Sequence, residues 1–291
     1  GCAAFKGFNY GIDFTGGTMI QLEMGQKVDA DEVAQAISKY KLDPSIVYAT
    51  DNHSQVVIRT KKALNADQRG QVVSTLSEKY NLDKKSVLAS EEFGPTVGKE
   101  LRQNAVKAII IAALCMLVYI RFRFKTWKYG LAAVGGLLHD VLVTLSMYAI
   151  FGFTINNPFI AGILTVVGYS INDTIVIFDR IRENKRFYKR KELAPQINDS
   201  INQTLSRSIT TSITTLIVMV PLYLMVSSEI RQFLIPLIIG VVCGTYSSIF
   251  ICSPLLYEMK RKESLSRYEL QKEKQAKAAK EAKKKNSGIV K

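Results

Sequence analysis

Five apolar runs occupy residues 105–120, 129–151, 158–178, 208–227 and 232–257. They leave the second half of the chain little choice of fold. Each approaches the ~17–25 residues that a helix needs to cross a bilayer. Hydrocarbon offers the backbone no hydrogen-bond partners, so a run that crosses it must be helical. The first run reaches full length only by taking in residues 101–104. The expected spans are therefore about 101–120, 129–151, 158–178, 208–227 and 232–257. A mean hydropathy of +0.08 conceals this, because residues 1–100 contain no long apolar run. Those residues carry 12 Lys/Arg against 13 Asp/Glu, so the net charge of +14 arises after residue 100. That distribution argues against a basic nucleic-acid-binding domain at the start, and no RNA-recognition, helix-turn-helix or zinc-finger signature supports one.

Residues 1–100 read as a separate α/β unit. TMIQLEM (18–24) alternates as a strand does. Asp29 precedes DEVAQAISKY (31–40) and, with Glu32 three residues on, predicts a capping box. SIVYAT (45–50) and QVVIRT (55–60) flank DNHS and predict a hairpin. Asn65 caps a helix through ADQRGQVVSTLSEKY (66–80), and SVLASEEF (86–93) supplies a last strand. Strand, helix, strand, strand, helix, strand is the order of a small α+β sandwich of the ferredoxin-like, split βαβ kind.

Charge sets the orientation of the spans. RFRFKTWK (121–128) holds four basic residues and no acid, residues 179–192 hold seven basic residues, and the tail from Glu258 holds twelve against five acids. The connection 152–157 is nearly neutral. The positive-inside rule places the basic segments and the tail 258–291 in the cytoplasm, and residues 1–100 outside it. The tail, rich in Lys, Glu and Ala, reads as a solvated, partly helical or disordered extension, with attraction to anionic lipid headgroups or to ribosomal RNA as the alternative. Cys115, Cys243 and Cys252 lie in apolar runs and Cys2 stands near the terminus. They form no C-x-x-C spacing and read as packing residues.

Polar residues inside the apolar runs carry the functional signal. An ionisable side chain in hydrocarbon is expensive and faces the protein interior or a partner. Asp173 lies within 158–178, Asp140 beside His139 near the middle of 129–151, and Arg207 at the start of SITTSITTLIVMVPLYLMVS (208–227). Tyr169, Asn172 and Asp173 are related by i, i+3 and i+4 and are expected on one face. Arg207, Thr210, Thr211, Thr214 and Thr215 form a polar stripe by the same spacing. The two stripes facing one another would line a water-accessible path. Gly130, Gly135, Gly136, Gly162 and Gly168 would permit the close helix approach it needs. His139, one residue from Asp140, is expected to point elsewhere and pack. On this reading Asp173 binds and releases a proton, Arg207 is its counter-ion, and Asp140 is a second relay candidate. No P-loop, H-E-x-x-H or G-x-S-x-G is present. Ser-Ile-Asn stands before Asp173, where an intramembrane aspartyl protease would carry G-x-G-D. Covalent catalysis and a cofactor are therefore not expected; protons would be the coupling ion.

GIDFTGGT (11–18), FGPTVGKEL (93–101), VVGYSINDTIVIFDRIREN (166–184) and LSRSITTSITT (205–215) together closely resemble the SecF branch of the SecD/SecF family, within the resistance-nodulation-division superfamily. The resemblance extends from about Phe8 to about Tyr257. It implies six membrane helices with an extracytoplasmic domain between the first two. The sixth span would end just before Phe8, so a chain that opens Gly-Cys-Ala reads as lacking it. The resemblance also implies proton-motive-force-driven help to protein export, with SecD, the SecYEG channel and secreted precursors as partners, in the bacterial cytoplasmic membrane. It matches the family's membrane Asp to Asp173 and its partner Arg to Arg207. Gly11, Asp13, Gly16 and Gly17 read as a tight turn with Asp13 as a cap, or as a joint that passes membrane motion outward. Gly94 and Pro95 would form the matching hinge. Half of a small-molecule or lipid exporter of the same superfamily is the alternative.

Overall fold

The computed structural model describes residues 8–50, 52–188 and 192–261. Cys2, the residues before Phe8 and the tail beyond 261 lie outside the described residues.

The first part is built on a four-stranded sheet of β2 (Gly17–Glu23), β3 (Ser45–Tyr48), β4 (Gln55–Thr60) and β5 (Val87–Phe93). Its order is β3-β4-β2-β5 and every pairing is antiparallel, which is the ferredoxin-like arrangement. Alternation decides its faces. Thr18, Ile20 and Leu22 of β2 are buried, while Met19, Gln21 and Glu23 are half-buried. Ile20 pairs with Ile58 of β4, and both meet Val33, Ile37, Val72 and Leu76 in one core. Helix α2 (Ala30–Ala36) is shorter than expected and gives way to a 3-10 turn at Ser38–Tyr40. The capping box foreseen there does not form. Asp29 Oδ1 accepts from the N–H of Asp31 at 2.8 Å, closing a local turn that leaves Glu32 out. Helix α3 (Ala66–Tyr80) has the full box: Asn65 and Gln68 bond each other's backbone N–H, and Asn81 closes the helix with φ of 51°.

Five long helices follow: α4 (Pro95–Phe124), α5 (Trp127–Phe151), α6 (Asn157–Asn184), α7 (Leu193–Met225) and α8 (Ser228–Ser247). A π-helical turn at Ser248–Cys252 carries α8 onward, so the last span runs Ile230–Arg261. The five expected spans are these five helices, several of them longer than the apolar runs. α4 begins directly after β5, with Gly94 alone between them. α7 starts fifteen residues before its apolar run at 208, because LAPQINDSINQTLSR continues the helical pattern with polar residues. α6 and α8 form the inside of the bundle: half of the apolar window of each is buried, against 6% for α4 and 11% for α7.

Small residues let the inner helices touch. A Cβ on Gly240 of α8 would stand 2.1 Å from Val166 Cγ2, and one on Gly244 would stand 2.9 Å from Ser170 Cβ. Gly136 faces Cys252, and Gly162 faces Pro236 as closely. Gly168, expected to serve the same purpose, has nothing near it.

Two short strands were not foreseen. β1 (Asn9–Tyr10) pairs in parallel with β6 (Thr154–Ile155), in the connection between α5 and α6. The one-turn helix α1 (Ile12–Thr15) then leads through Gly16 and Gly17 into β2. Gly17, with φ of 148°, lies so close to Thr60 that a Cβ would meet its carbonyl oxygen at 2.2 Å. This segment ties the α/β unit to one end of the bundle. The opposite end carries the basic α4–α5 turn, where Arg123 pairs with Asp179 of α6 at 2.7 Å.

Candidate functional site

Asp173 sits in the interior half of α6 and is 3% exposed. Its Oδ2 is buried with no hydrogen-bond partner. Three groups act on the carboxylate from neighbouring helices: the hydroxyls of Thr211 on α7 and Thr245 on α8, and the charge of Arg207 on α7. Arg207 is exposed, and no ion pair closes between it and Asp173 among the described residues. Each hydroxyl is already committed. Thr211 donates to the Arg207 carbonyl at 3.0 Å, and Thr245 donates to the Val241 carbonyl at 2.9 Å. Leaving a buried polar atom unpaired costs about 1–3 kcal/mol, more for a charged one. Asp173 is therefore a buried carboxylate poised for a partner.

The expected polar stripes meet, but not with every residue assigned to them. Tyr169 reaches α7: its hydroxyl donates to the Thr211 carbonyl at 3.1 Å and lies 3.0 Å from Thr215 Oγ1. Asn172 does not share that contact. It is exposed on the outside of α6, because the buried face runs through Val166, Ser170, Asp173 and Ile177, and Asn172 falls off its edge. Thr210 and Thr214 are exposed as well, and Thr214 satisfies itself on the Thr210 carbonyl at 3.0 Å. The buried face of α7 instead follows Gln196, Ser200, Thr204, Ser208 and Ser212. These five residues are spaced i, i+4 throughout, a pattern legible in the sequence but less conspicuous than the Thr cluster beside it. Ser212 bonds Thr245, and Ser208 Oγ, like Asp173 Oδ2, is buried without a partner.

Asp140 on α5 is 1% exposed and satisfied. Its Oδ2 accepts from Ser170 of α6 at 2.6 Å and from Ser247 of α8 at 2.9 Å. His139 does not point away. Its Nδ1 lies 3.1 Å from Asp140 Oδ1. Ser170, Thr174, Ser247 and Ser248 extend this polar centre, with Thr174 Oγ1 2.8 Å from Ser248 Oγ. None of the four was singled out in the sequence, since lone Ser and Thr in apolar helices are common.

At the other end of α6, Asp13 Oδ2 accepts from the N–H of Asn157 at 3.0 Å, and the N–H of Gly11 donates to the Ile155 carbonyl at 2.8 Å. Asp13 thus caps a helix 144 residues away rather than its own turn. Gly98, in the first turns of α4, packs against the backbone of Phe14 and Asp13, where a Cβ would come within 2.7 Å of the Phe14 carbonyl oxygen. Gly94 has ordinary backbone angles and open space around it, and Pro95 opens α4. Among the described residues no cluster of His, Cys, Asp or Glu is able to hold a metal ion.

Two family descriptions fit this chain: residues 72–262 match the protein export membrane protein SecD/SecF C-terminal family, and residues 3–28 match the SecD/SecF GG motif. The chain belongs to the SecD/SecF family. It is 42% identical over 259 residues to the protein translocase subunit SecF of Desulfurispirillum indicum, covering 86% of this chain and 82% of that one. It is 39% identical over 261 residues to SecF of Sebaldella termitidis, covering 88% and 83%. Its fold matches the crystal structure of SecDF, a translocon-associated membrane protein from Thermus thermophilus, with a TM-score of 0.77 and 36% identity. That match takes in 89% of this chain but 36% of SecDF, so the chain spans about a third of that longer protein. The residues matched to the GG motif take in the strap from β1 to β2, whose Asp13 accepts from the N–H of Asn157 at the start of α6.

Proposed function

We propose that this SecD/SecF family chain is a proton-coupled accessory subunit of the bacterial Sec protein translocase. It works with a SecD partner beside the SecYEG channel and uses the proton-motive force to help precursors complete their export. The α/β unit lies outside the cytoplasmic membrane, and the basic connections and tail lie in the cytoplasm. Asp173 takes up and releases the proton, Arg207 adjusts its charge state as α6 and α7 approach or part, and no covalent step or cofactor is involved. The observation that carries this reading is Asp173 itself: a buried carboxylate with an unpaired oxygen, between hydroxyls and a cation, inside a membrane-length helix. The export role is supported by relatives named as protein translocase subunits, and the SecD partnership by a SecDF chain about three times as long that contains the same fold.

The test is precursor export into membrane vesicles with and without an imposed proton gradient, comparing the full-length protein with Asp173→Asn. The variant is expected to assemble with its partner and lose the gradient-dependent part of export. Full retention of that part by an assembled variant would remove Asp173 from the mechanism.

A further inference from the structure

Among the described residues, two carboxylates of the bundle, Asp173 and Asp140, are buried, and they stand in opposite surroundings. Asp173 has an unpaired oxygen, whereas Asp140 holds Ser170 of α6, Ser247 of α8 and His139 of its own helix. The partners of Asp140 are placed with respect to Asp173. Ser170 precedes Asp173 by one helical turn on α6. Ser247 lies two residues beyond Thr245, whose hydroxyl faces Asp173 from α8. Gly244 permits the crossing, since a Cβ there would stand 3.2 Å from Ser170 Oγ, and Ser247 Oγ also bonds the Gly244 carbonyl at 3.2 Å. One turn beyond Ser170 on α6, Thr174 Oγ1 meets Ser248 Oγ at 2.8 Å, at the start of the π-helical turn. A carboxylate bonded to two other helices at one level fixes both their rotation and their depth.

We propose that Asp140 is a positioning residue: through Ser170 and Ser247 it sets where Asp173 on α6 and Thr245 on α8 face one another, without carrying the transported proton itself. The inference rests on the proton-coupled reading of Asp173. Among the described residues, the titratable groups that face Asp140 are His139 on α5 and the thiols of Cys243 and Cys252 from the last span; α6 presents the Ser170 hydroxyl. Asp173 is faced by Arg207 and Thr211 from α7 and Thr245 from α8.

The test uses the full-length protein with its translocase partners in vesicles and reads the external pH at which gradient-driven export is half-maximal. Ser170→Ala and Ser247→Ala each remove one small hydroxyl and leave the packing in place. Both are expected to shift that pH in the same direction as Asp140→Asn. Groups in one network act as a unit, so the double Ser170→Ala/Ser247→Ala variant should shift it by less than the sum of the two. Unmoved serine variants, or strictly additive shifts, would overturn the proposal. The serine cycle decides even if Asp140→Asn fails to assemble. Asp173→Asn separates the two readings. If it keeps gradient-driven export, the proton-coupled reading has failed. If it loses that export while the serines move nothing, only the role of Asp140 has.

Discussion

The N–H of Asn157, the first residue of α6, donates to the carboxylate of Asp13 at 3.0 Å. The two residues belong to parts of the chain that the sequence keeps far apart. Their bond ties the strap entering the α/β sheet to the helix that carries Asp173. An acid at a helix N-terminus also complements the helix dipole. Replacing a capping side chain by Ala costs about 0.5–2 kcal/mol. Asp13→Ala should therefore accelerate hydrogen exchange of the Asn157 amide, with Asp13→Asn, which keeps an acceptor oxygen, falling between the two. Equal exchange in all three proteins would show that the bond does not hold α6.

The approach of α6 to α8 gives a sharper contrast. Gly240 and Gly244 leave no room for a methyl group against Val166 and Ser170, whereas Gly168 on α6 has open space. Overpacking a tight contact costs about 1–3 kcal/mol. An unhindered Gly→Ala in a helix gains up to about 1 kcal/mol. Gly240→Ala and Gly244→Ala should thus lower the melting temperature of the detergent-solubilised protein, and Gly168→Ala should leave it unchanged or raise it. A uniform response at all three sites would mean that this crossing is not tight.

Much of this architecture is written locally and was legible. QVVIRT (55–60) and ADQRGQVVSTLSEKY (66–80) are a strand and a helix to the residue, because their signals, alternation and an Asn cap, lie within the segments themselves. The membrane runs and Asp173 are equally local, since one carboxylate among apolar residues is conspicuous. What failed depends on where other helices sit. Asn172, Thr210 and Thr214 fit a shared face by spacing, yet which arc of a helix is buried is decided by its neighbours. The partners of Asp140 were hidden for the same reason, as Ser170 and Ser247 become a site only when α5, α6 and α8 converge on it. Parallel pairing of β1 with β6 joins residues about 145 apart, with two residues per strand and no pattern to read.

The α/β unit should lose stability in acid partly through Glu23. Its Oε2 accepts from Gln55 Nε2 at 2.6 Å, and this bond from the neighbouring strand lowers the carboxyl below its ordinary range. A group whose folded value is depressed stabilises the fold above its unfolded value, and that contribution disappears as pH falls through the folded one. Hydrogen-exchange protection of β2 and β4, corrected for intrinsic rates, should therefore hold down to the ordinary glutamate value of about 4.3 and drop as pH falls below it. In Glu23→Gln it should drop less. A parallel pH response in both proteins would remove Glu23 from the acid sensitivity.

Tyr169 bridges the gap between α6 and α7 that the proton-coupled reading requires to open. Its hydroxyl bonds Thr211 and Thr215, one turn from Asp173, and only 11% of the apolar window of α7 is buried. Loss of such bonds is worth about 0.5–1.5 kcal/mol. That is enough to shift an opening equilibrium several-fold without unfolding the bundle. A Thr211→Cys reporter, in a background whose native cysteines are replaced, should react faster with a small thiol reagent when Tyr169→Phe is added. Gradient-driven export should fall in the same variant, because a gap that stays open no longer brings Arg207 toward Asp173 on cue. Equal labelling with and without the hydroxyl would mean that packing holds the two helices together, and Tyr169 would then have no part in the gate.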